Sequence, residues 1–148
     1  MSKLIQAMLA GALFTFILDF FLFLGIKLHY IDFYNIDVYY NILFADNQNI
    51  FIYLILSIIF GFMIIYANNK LSVITAVIVF LLSLSTLISP IGHFMGELIL
   101  MEKNVQLNDE KHHYIGDIYY NGRDTITFYD REIDKIIILE KNKLKEMN

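Results

Sequence analysis

LIQAMLAGALFTFILDFFLFLGIKL, running from Leu4 to Leu28, is the stretch on which the architecture turns. Gln6, Thr15, Asp19 and Lys27 are its only strongly polar residues. At ~1.5 Å per residue a helix of this length reaches about 37 Å, enough to cross a bilayer with some tilt. A cleaved signal peptide is the rival reading, but its apolar core is normally ~7 to 15 residues long and ends on small residues. Here Phe20 to Leu24 stay bulky, so the segment reads as a first transmembrane helix.

Two more apolar runs follow, Ile50 to Ala67 and Leu71 to Ser89, and neither carries a charge. Only Asn68-Asn69-Lys70 lies between them, which makes the two helices antiparallel neighbours with Lys70 at headgroup level. Pro90 is expected to end the third helix. From His29 to Asn49, Tyr30, Phe33, Tyr34, Tyr39, Tyr40 and Phe44 interleave with Asp32, Asn35, Asp37, Asn41 and Asp46. Amphipathic rings favour the membrane interface, so this segment is read as short helical turns on the membrane surface, or as a loop packed over the bundle.

The hydrophobic fraction of 57% and mean hydropathy of +0.57 exceed the ordinary globular range, and the excess lies almost wholly before Pro90. Residues 1–90 and 91–148 therefore face different solvents. Beyond Gly92 and Gly96, read as a hinge, the pattern changes to alternation. Tyr114, Gly116, Ile118 and Tyr120 share a strand face, Asn121-Gly122 suits a type I′ turn, and Thr125 to Tyr129 returns with Ile126 and Phe128 on one side. After a turn at Asp130 to Asp134, Lys135 to Glu140 alternates again, and Glu97 to Met101 and Val105 to Leu107 are expected to add short strands. Asn142 to Asn148 reads as a polar tail. The fold class is thus an α-helical membrane protein with three transmembrane helices, followed by a small antiparallel β-meander or SH3-like barrel.

Asp19 is the most informative residue for chemistry, because a carboxylate inside a span costs several kcal/mol unless it is protonated, paired or hydrated. Counting along the spans places it at the depth of Ser57 and of Ser83, giving a candidate intramembrane polar cluster of Asp19, Ser57 and Ser83. Ala7, Gly11, Thr15 and Asp19 recur every fourth residue, a small-residue stripe that lets membrane helices approach closely. Ser57 and Gly61 repeat the spacing, and Ser72, Ala76, Val79, Ser83 and Thr86 form a comparable seam. A protonated Asp19 donating to a serine is a purely structural role; a proton or cation site is the functional one, which would need an oligomer to enclose a path.

Other features carry less. There are no cysteines, which excludes disulfides and thiolate chemistry. A net charge of -4 offers no field for nucleic acid. His112-His113 with Asp109, Glu110 and Asp117 could suggest metal, but adjacent strand residues point to opposite faces, so a solvated pair is the simpler reading. His29 and His93 read as interfacial anchors. The mixed charges Arg123, Asp124, Asp130, Arg131, Glu132 and Asp134 read as a soluble turn surface. Tyr114, Tyr119, Tyr120 and Tyr129 are more aromatics than so small a sheet would hide, leaving a patch for a partner or the membrane. No catalytic residue, metal ligand or cofactor site is identified.

The stretch Ile31-Asp32-Phe33-Tyr34-Asn35-Ile36-Asp37-Val38-Tyr39-Tyr40, with Phe44-Ala45-Asp46-Asn47-Gln48-Asn49 behind it, resembles uncharacterised small inner-membrane proteins of Campylobacter-group bacteria. The resemblance implies a bacterial inner membrane and brings no activity or site with it. In layout alone, helices before a small β-domain, the chain is also similar to NfeD-like proteins, whose glycine-rich barrel pattern it lacks. The expected role is a non-enzymatic accessory or scaffold subunit of an inner-membrane complex, in contact with lipid and with other subunits or copies of itself. The alternative is a homo-oligomeric channel or transporter component using Asp19. Lys3, Lys70 and the long aromatic loop with only Lys27 favour a cytoplasmic N-terminus, the preferred orientation; the eight Lys and Arg after Pro90 argue the other way, but only Lys103 lies within ~15 residues of the last span.

Overall fold

Helix starts are set by small polar side chains at the head of each apolar run. Ser2 accepts from the Ile5 amide, Asn49 from those of Phe51 and Ile52, and Asn68 from that of Leu71, each supplying a donor-rich helix end with its missing acceptor. In the computed structural model, which describes residues 2–109 and 112–144, these caps open α1 (Lys3–Ile26), α3 (Ile50–Ile65) and α4 (Asn69–Ser85). A π-helical turn, Lys27–Ile31, extends α1, and α2 (Tyr40–Asn47) and α5 (Ser89–Leu100) complete the helical part. Four strands follow: β1 (Glu102–Asn108), β2 (His113–Asn121), β3 (Thr125–Asp130) and β4 (Lys135–Glu140).

One helix, Lys3–Ile31, is long and apolar enough by itself to cross a membrane. The other two expected spans are shorter than the sequence suggests, since α3 stops at Ile65 and α4 at Ser85. Each reaches span length only together with a neighbour bent sharply away from it, α2 from α3 by 83° and α5 from α4 by 86°. Pro90 does not end the third helix. It stands in the first turn of α5, where its missing N–H leaves nothing unpaired, so it starts a helix rather than stopping one. For the same reason Glu97 to Leu100, expected as a strand, lies inside α5.

Small residues decide how the helices meet. A Cβ added at Gly11 would collide with the Ser57 carbonyl oxygen, and one at Gly61 with the Ala7 carbonyl oxygen, so α1 and α3 touch backbone to backbone and run antiparallel. On α4 the buried residues are Thr75, Val79 and Ser83: Val79 and Ser83 belong to the expected seam, Thr75 takes the place of its neighbour Ala76, and Ser72 and Ala76 keep partial exposure. Gly92 and Gly96 are not a hinge. Cβ atoms there would strike Thr86 and the Tyr30 ring, so the two glycines let α5 lie directly across the end of α1.

The sheet is an open antiparallel meander in the order β1-β2-β3-β4. Its register couples Ile118 to Phe128 and Phe128 to Ile137, which gathers Ile118, Ile126 and Phe128 with Val105, Leu107, Ile137 and Leu139 on one face. Irregularities interrupt the pairing near Asn104, which has a left-handed φ of 60°, and between Ile118 and Tyr120. The β2–β3 reversal differs from expectation. Asn121 still pairs with Ile126, and Gly122 donates to the Thr125 carbonyl, so the corner falls on Arg123-Asp124 rather than Asn121-Gly122. No glycine among the described residues has the positive φ a type I′ turn requires. This placement puts Arg123 at the tip, where its guanidinium reaches both carboxylate oxygens of Asp46 on α2 at 2.6 and 2.7 Å.

Asp117 ties the β1 irregularity to the β3–β4 turn. Its Oδ1 accepts from the Asn104 amide at 2.8 Å and from Arg131 at 2.7 Å, and Arg131 also donates to the Asn104 side chain. Partial burial alone would raise this carboxyl; the Asn104 amide, Arg131 and Lys103 outweigh it and hold it below the usual carboxylate range. A carboxylate lowered on folding contributes stability above its unfolded value and loses it as pH falls through the folded one. The sheet should therefore loosen as pH drops below about 4, and Asp117→Asn should flatten that dependence, as followed by amide exchange in β1 and β2. For the helices, Gly11→Ala and Gly61→Ala should each cost about 1–3 kcal/mol in detergent unfolding titrations, because backbone on the facing helix has to move.

Candidate functional site

Asp19 lies four residues beyond Thr15 on α1, and the antiparallel packing of α3 determines what it meets. Gly11 is opposite Ser57, so the eight residues from Gly11 to Asp19 carry the carboxylate past the start of α3, to the Asn47-Gln48-Asn49 link. There Asp19 Oδ2 accepts from Gln48 Nε2 at 3.0 Å. A cleft of about 290 Å³ opens at this point, lined by Asp19, Leu22, Asn47, Gln48, Ile52 and Tyr53 among others.

The three candidate polar residues occupy different places. Ser57 lies in the α1–α3 contact beside Gly11, where neither its hydroxyl nor that of Thr15 meets a partner among the described residues. Ser83 is wholly buried on α4 and donates to the Val79 carbonyl at 2.8 Å, a bond inside its own helix. Asp19 has the Gln48 amide instead. Counting along straight spans set Asp19 level with Ser57, but Gly11 is the residue opposite Ser57 and α1 runs on past the first residue of α3, so Asp19 lies level with the α2–α3 link. Of the packing stripe, Ala7, Gly11 and Gly61 meet at the α1–α3 contact, Thr15 is fully buried, and Ala76 is only half-buried.

A second constellation, whose histidines read in sequence as separate interfacial anchors, forms where α1, α5 and β2 converge. Thr86 donates to the Phe21 carbonyl at 2.7 Å, and His29 Nε2 donates to the Leu87 carbonyl at 2.8 Å, pinning the α4–α5 corner to α1. The π-helical turn leaves the His29 carbonyl to accept from His93 Nδ1 at 2.8 Å, which directs Nε2 towards Glu97 at 3.5 Å. Phe33, Tyr34 and Tyr30 surround the His93 ring at centroid distances of 5.0 to 5.6 Å. Tyr34 in turn meets Tyr119, which stacks on Tyr129.

Tyr30 has no exposed surface, and its hydroxyl donates to the Tyr119 carbonyl at 2.9 Å. Around it Phe23, Ile26, Ile31, Ile36, Leu43, Leu100 and Tyr120 form one core drawn from helices, connecting segment and sheet. The aromatic segment 29–49 is therefore interior at Tyr30, Ile31, Ile36 and Leu43 rather than a band resting on a surface. Of the sheet tyrosines, Tyr120 is buried in this core and the other three are half-covered.

Elsewhere the chemistry is sparse. His113 bonds to the Asn108 side chain and His112 lies 3.5 Å from Asp109; Glu110 falls outside the described residues. Lys141–Lys143 forms a single 3-10 turn, and the remainder of the expected tail from residue 145 is also outside them. No group of three or more His, Asp or Glu able to hold a metal occurs among the described residues. No protein-family model, curated protein or solved structure matches the chain. Function has to be argued from geometry.

Because one buried hydroxyl bridges helix and sheet, Tyr30→Phe should leave the Tyr119 carbonyl unpaired and cost about 1–3 kcal/mol. Amide exchange should quicken in β2 and α5 while α3 and α4 keep their protection.

Proposed function

We propose that this protein is a non-enzymatic accessory or scaffold subunit of a bacterial inner-membrane complex. In this reading α1, α3 and α4 cross the bilayer and the sheet is held rigidly against one end of them. The observation that carries it is the outward face of the bundle. Phe51, Leu54, Ile55 and Ile58 on α3 and Val73, Leu81 and Leu82 on α4 are each at least half exposed, with comparable residues between them. Soluble monomers rarely show contiguous apolar surface of that extent, whereas lipid tails or partner helices cover it without penalty.

The bends at the α2–α3 and α4–α5 corners support the same placement. Both turn the chain aside at the end of the bundle where the sheet is docked, as expected of segments that leave the hydrocarbon and follow its surface. Lys3 and the Asn68-Asn69-Lys70 turn share the opposite end, because α1 and α3 are antiparallel. A lysine pair at that end favours the cytoplasm for it and for the N-terminus. Rigid attachment of the sheet through Tyr30 and the Arg123–Asp46 pair suits a docking platform better than a moving lid. The exposed face of β4, with Ile136 and Ile138, is the place for a protein partner to pair.

The test has two steps. Alkaline carbonate should leave the chain in the membrane pellet, and gentle detergent should then release it with a second protein in fixed ratio. Ile138→Lys should lose that partner while the chain remains folded and membrane-bound. Recovery as a homo-oligomer alone, able to pass protons in vesicles until Asp19 is changed to Asn, would instead favour the channel reading.

A further inference from the structure

Asp19 is a carboxylate without a cation. Among the described residues its single hydrogen bond comes from Gln48, and no Lys, Arg or His forms an ion pair with it. Lys27, two turns further along α1, is already engaged by Asp32. The Gln48 amide orients the side chain through Oδ2 and leaves Oδ1 without a partner among the described residues, at the mouth of the 290 Å³ cleft.

A second hollow lies on the same side of the α1–α3 pair. It measures about 190 Å³ and is lined by Met8, Ala12, Leu54, Ile58 and Phe62, apolar throughout apart from Tyr53 and Ser57. Tyr53 borders both hollows, and its hydroxyl donates to the Ala12 carbonyl at 3.0 Å, so the ring is spent on joining the two helices. At 100° per residue, positions 8, 12 and 19 fall within about 40° of one another around α1, and they are spread over roughly 16 Å of its length. The Asp19 position beside the Asn47-Gln48-Asn49 corner and the apolar trough therefore lie on one side of α1, with Tyr53 between them.

We propose that this composite cleft holds one membrane lipid with a primary-ammonium headgroup, the ammonium seated on Asp19 and an acyl chain in the Met8–Phe62 trough. Charge selects the headgroup: a purely anionic lipid would set its phosphate against an unneutralised carboxylate. A primary ammonium brings a cation with three N–H donors to an oxygen pair that has one donor; a trimethylated ammonium has the charge but no donors. Trough and cleft both face the exposed side of the bundle, so a lipid enters sideways without any helix parting.

The inference rests on the membrane-embedded reading, whose failure would show beforehand as release of the chain by alkaline carbonate. With the chain in the pellet, the full protein is placed in nanodiscs of equimolar phosphatidylethanolamine, phosphatidylglycerol and phosphatidylcholine, and retained lipid is counted by native mass spectrometry. One phosphatidylethanolamine should be kept at about tenfold excess over either competitor. Asp19→Asn should abolish the preference with helix content and melting unchanged, and Ile58→Trp, which fills the trough, should remove the retained lipid whatever its headgroup. Soluble ethanolamine at millimolar concentration should leave the lipid in place. Equal retention of the three lipids, a preference that survives Asp19→Asn, or displacement by soluble ethanolamine or sodium would each overturn the proposal.

Discussion

Tyr30 closes the place where α1, α2, α5 and the sheet have to agree. Its ring fills the space that Gly96 leaves open on α5, and its hydroxyl is satisfied only by the backbone of β2. A tyrosine buried this completely has to find an acceptor, because an unpaired hydroxyl in an apolar core costs more than the ring contributes locally. The sheet is therefore not a separate module tethered by a hinge. It shares Tyr120 with a core otherwise drawn from α1, α2, α5 and the segment between α1 and α2. The glycines at 25, 92 and 96 serve the same end, since each removes a side chain where two backbones or a backbone and a ring must touch.

Much of this was legible in residue order. Long apolar runs, the Asn68-Asn69-Lys70 turn, small residues four apart and the alternation after residue 100 correspond to α1, α3 and α4, the Gly11–Gly61 contact and the strands β2 to β4. What escaped was the direction of the chain at corners. Pro90 terminates or initiates a helix by the same chemistry, and only the burial of Gly92 and Gly96 against Thr86 and Tyr30 decides for initiation. The Asn121-Gly122 pair was likewise permissive rather than decisive: Asn121 stays paired with Ile126 and the corner falls on Arg123-Asp124, where Arg123 meets Asp46.

The candidate site suffered from the same blindness. Asp19 stood out because a lone carboxylate in an apolar run is physically expensive, and it remains the polar residue with most left to explain. Its neighbours could not be read, since their identity depends on how far α1 runs past the start of α3. The π-helical turn at Lys27–Ile31 left no trace in composition, yet it frees the His29 carbonyl for His93. A pair of histidines 64 residues apart has no spacing rule by which to be found.

Under the proposed placement in a bilayer, the lengths of α3 and α4 set how the membrane has to adapt. Sixteen and seventeen residues make helices of only about 24 and 26 Å, against the ~30 Å of an average hydrocarbon layer. With these two helices spanning as proposed, the leaflets beside them would have to pinch inward, while the longer α1 could meet the same slab by leaning. Pinching costs fractions of a kcal/mol for each ångström, so the chain would gather where acyl chains are short or already compressed, beside other proteins of equally narrow girth.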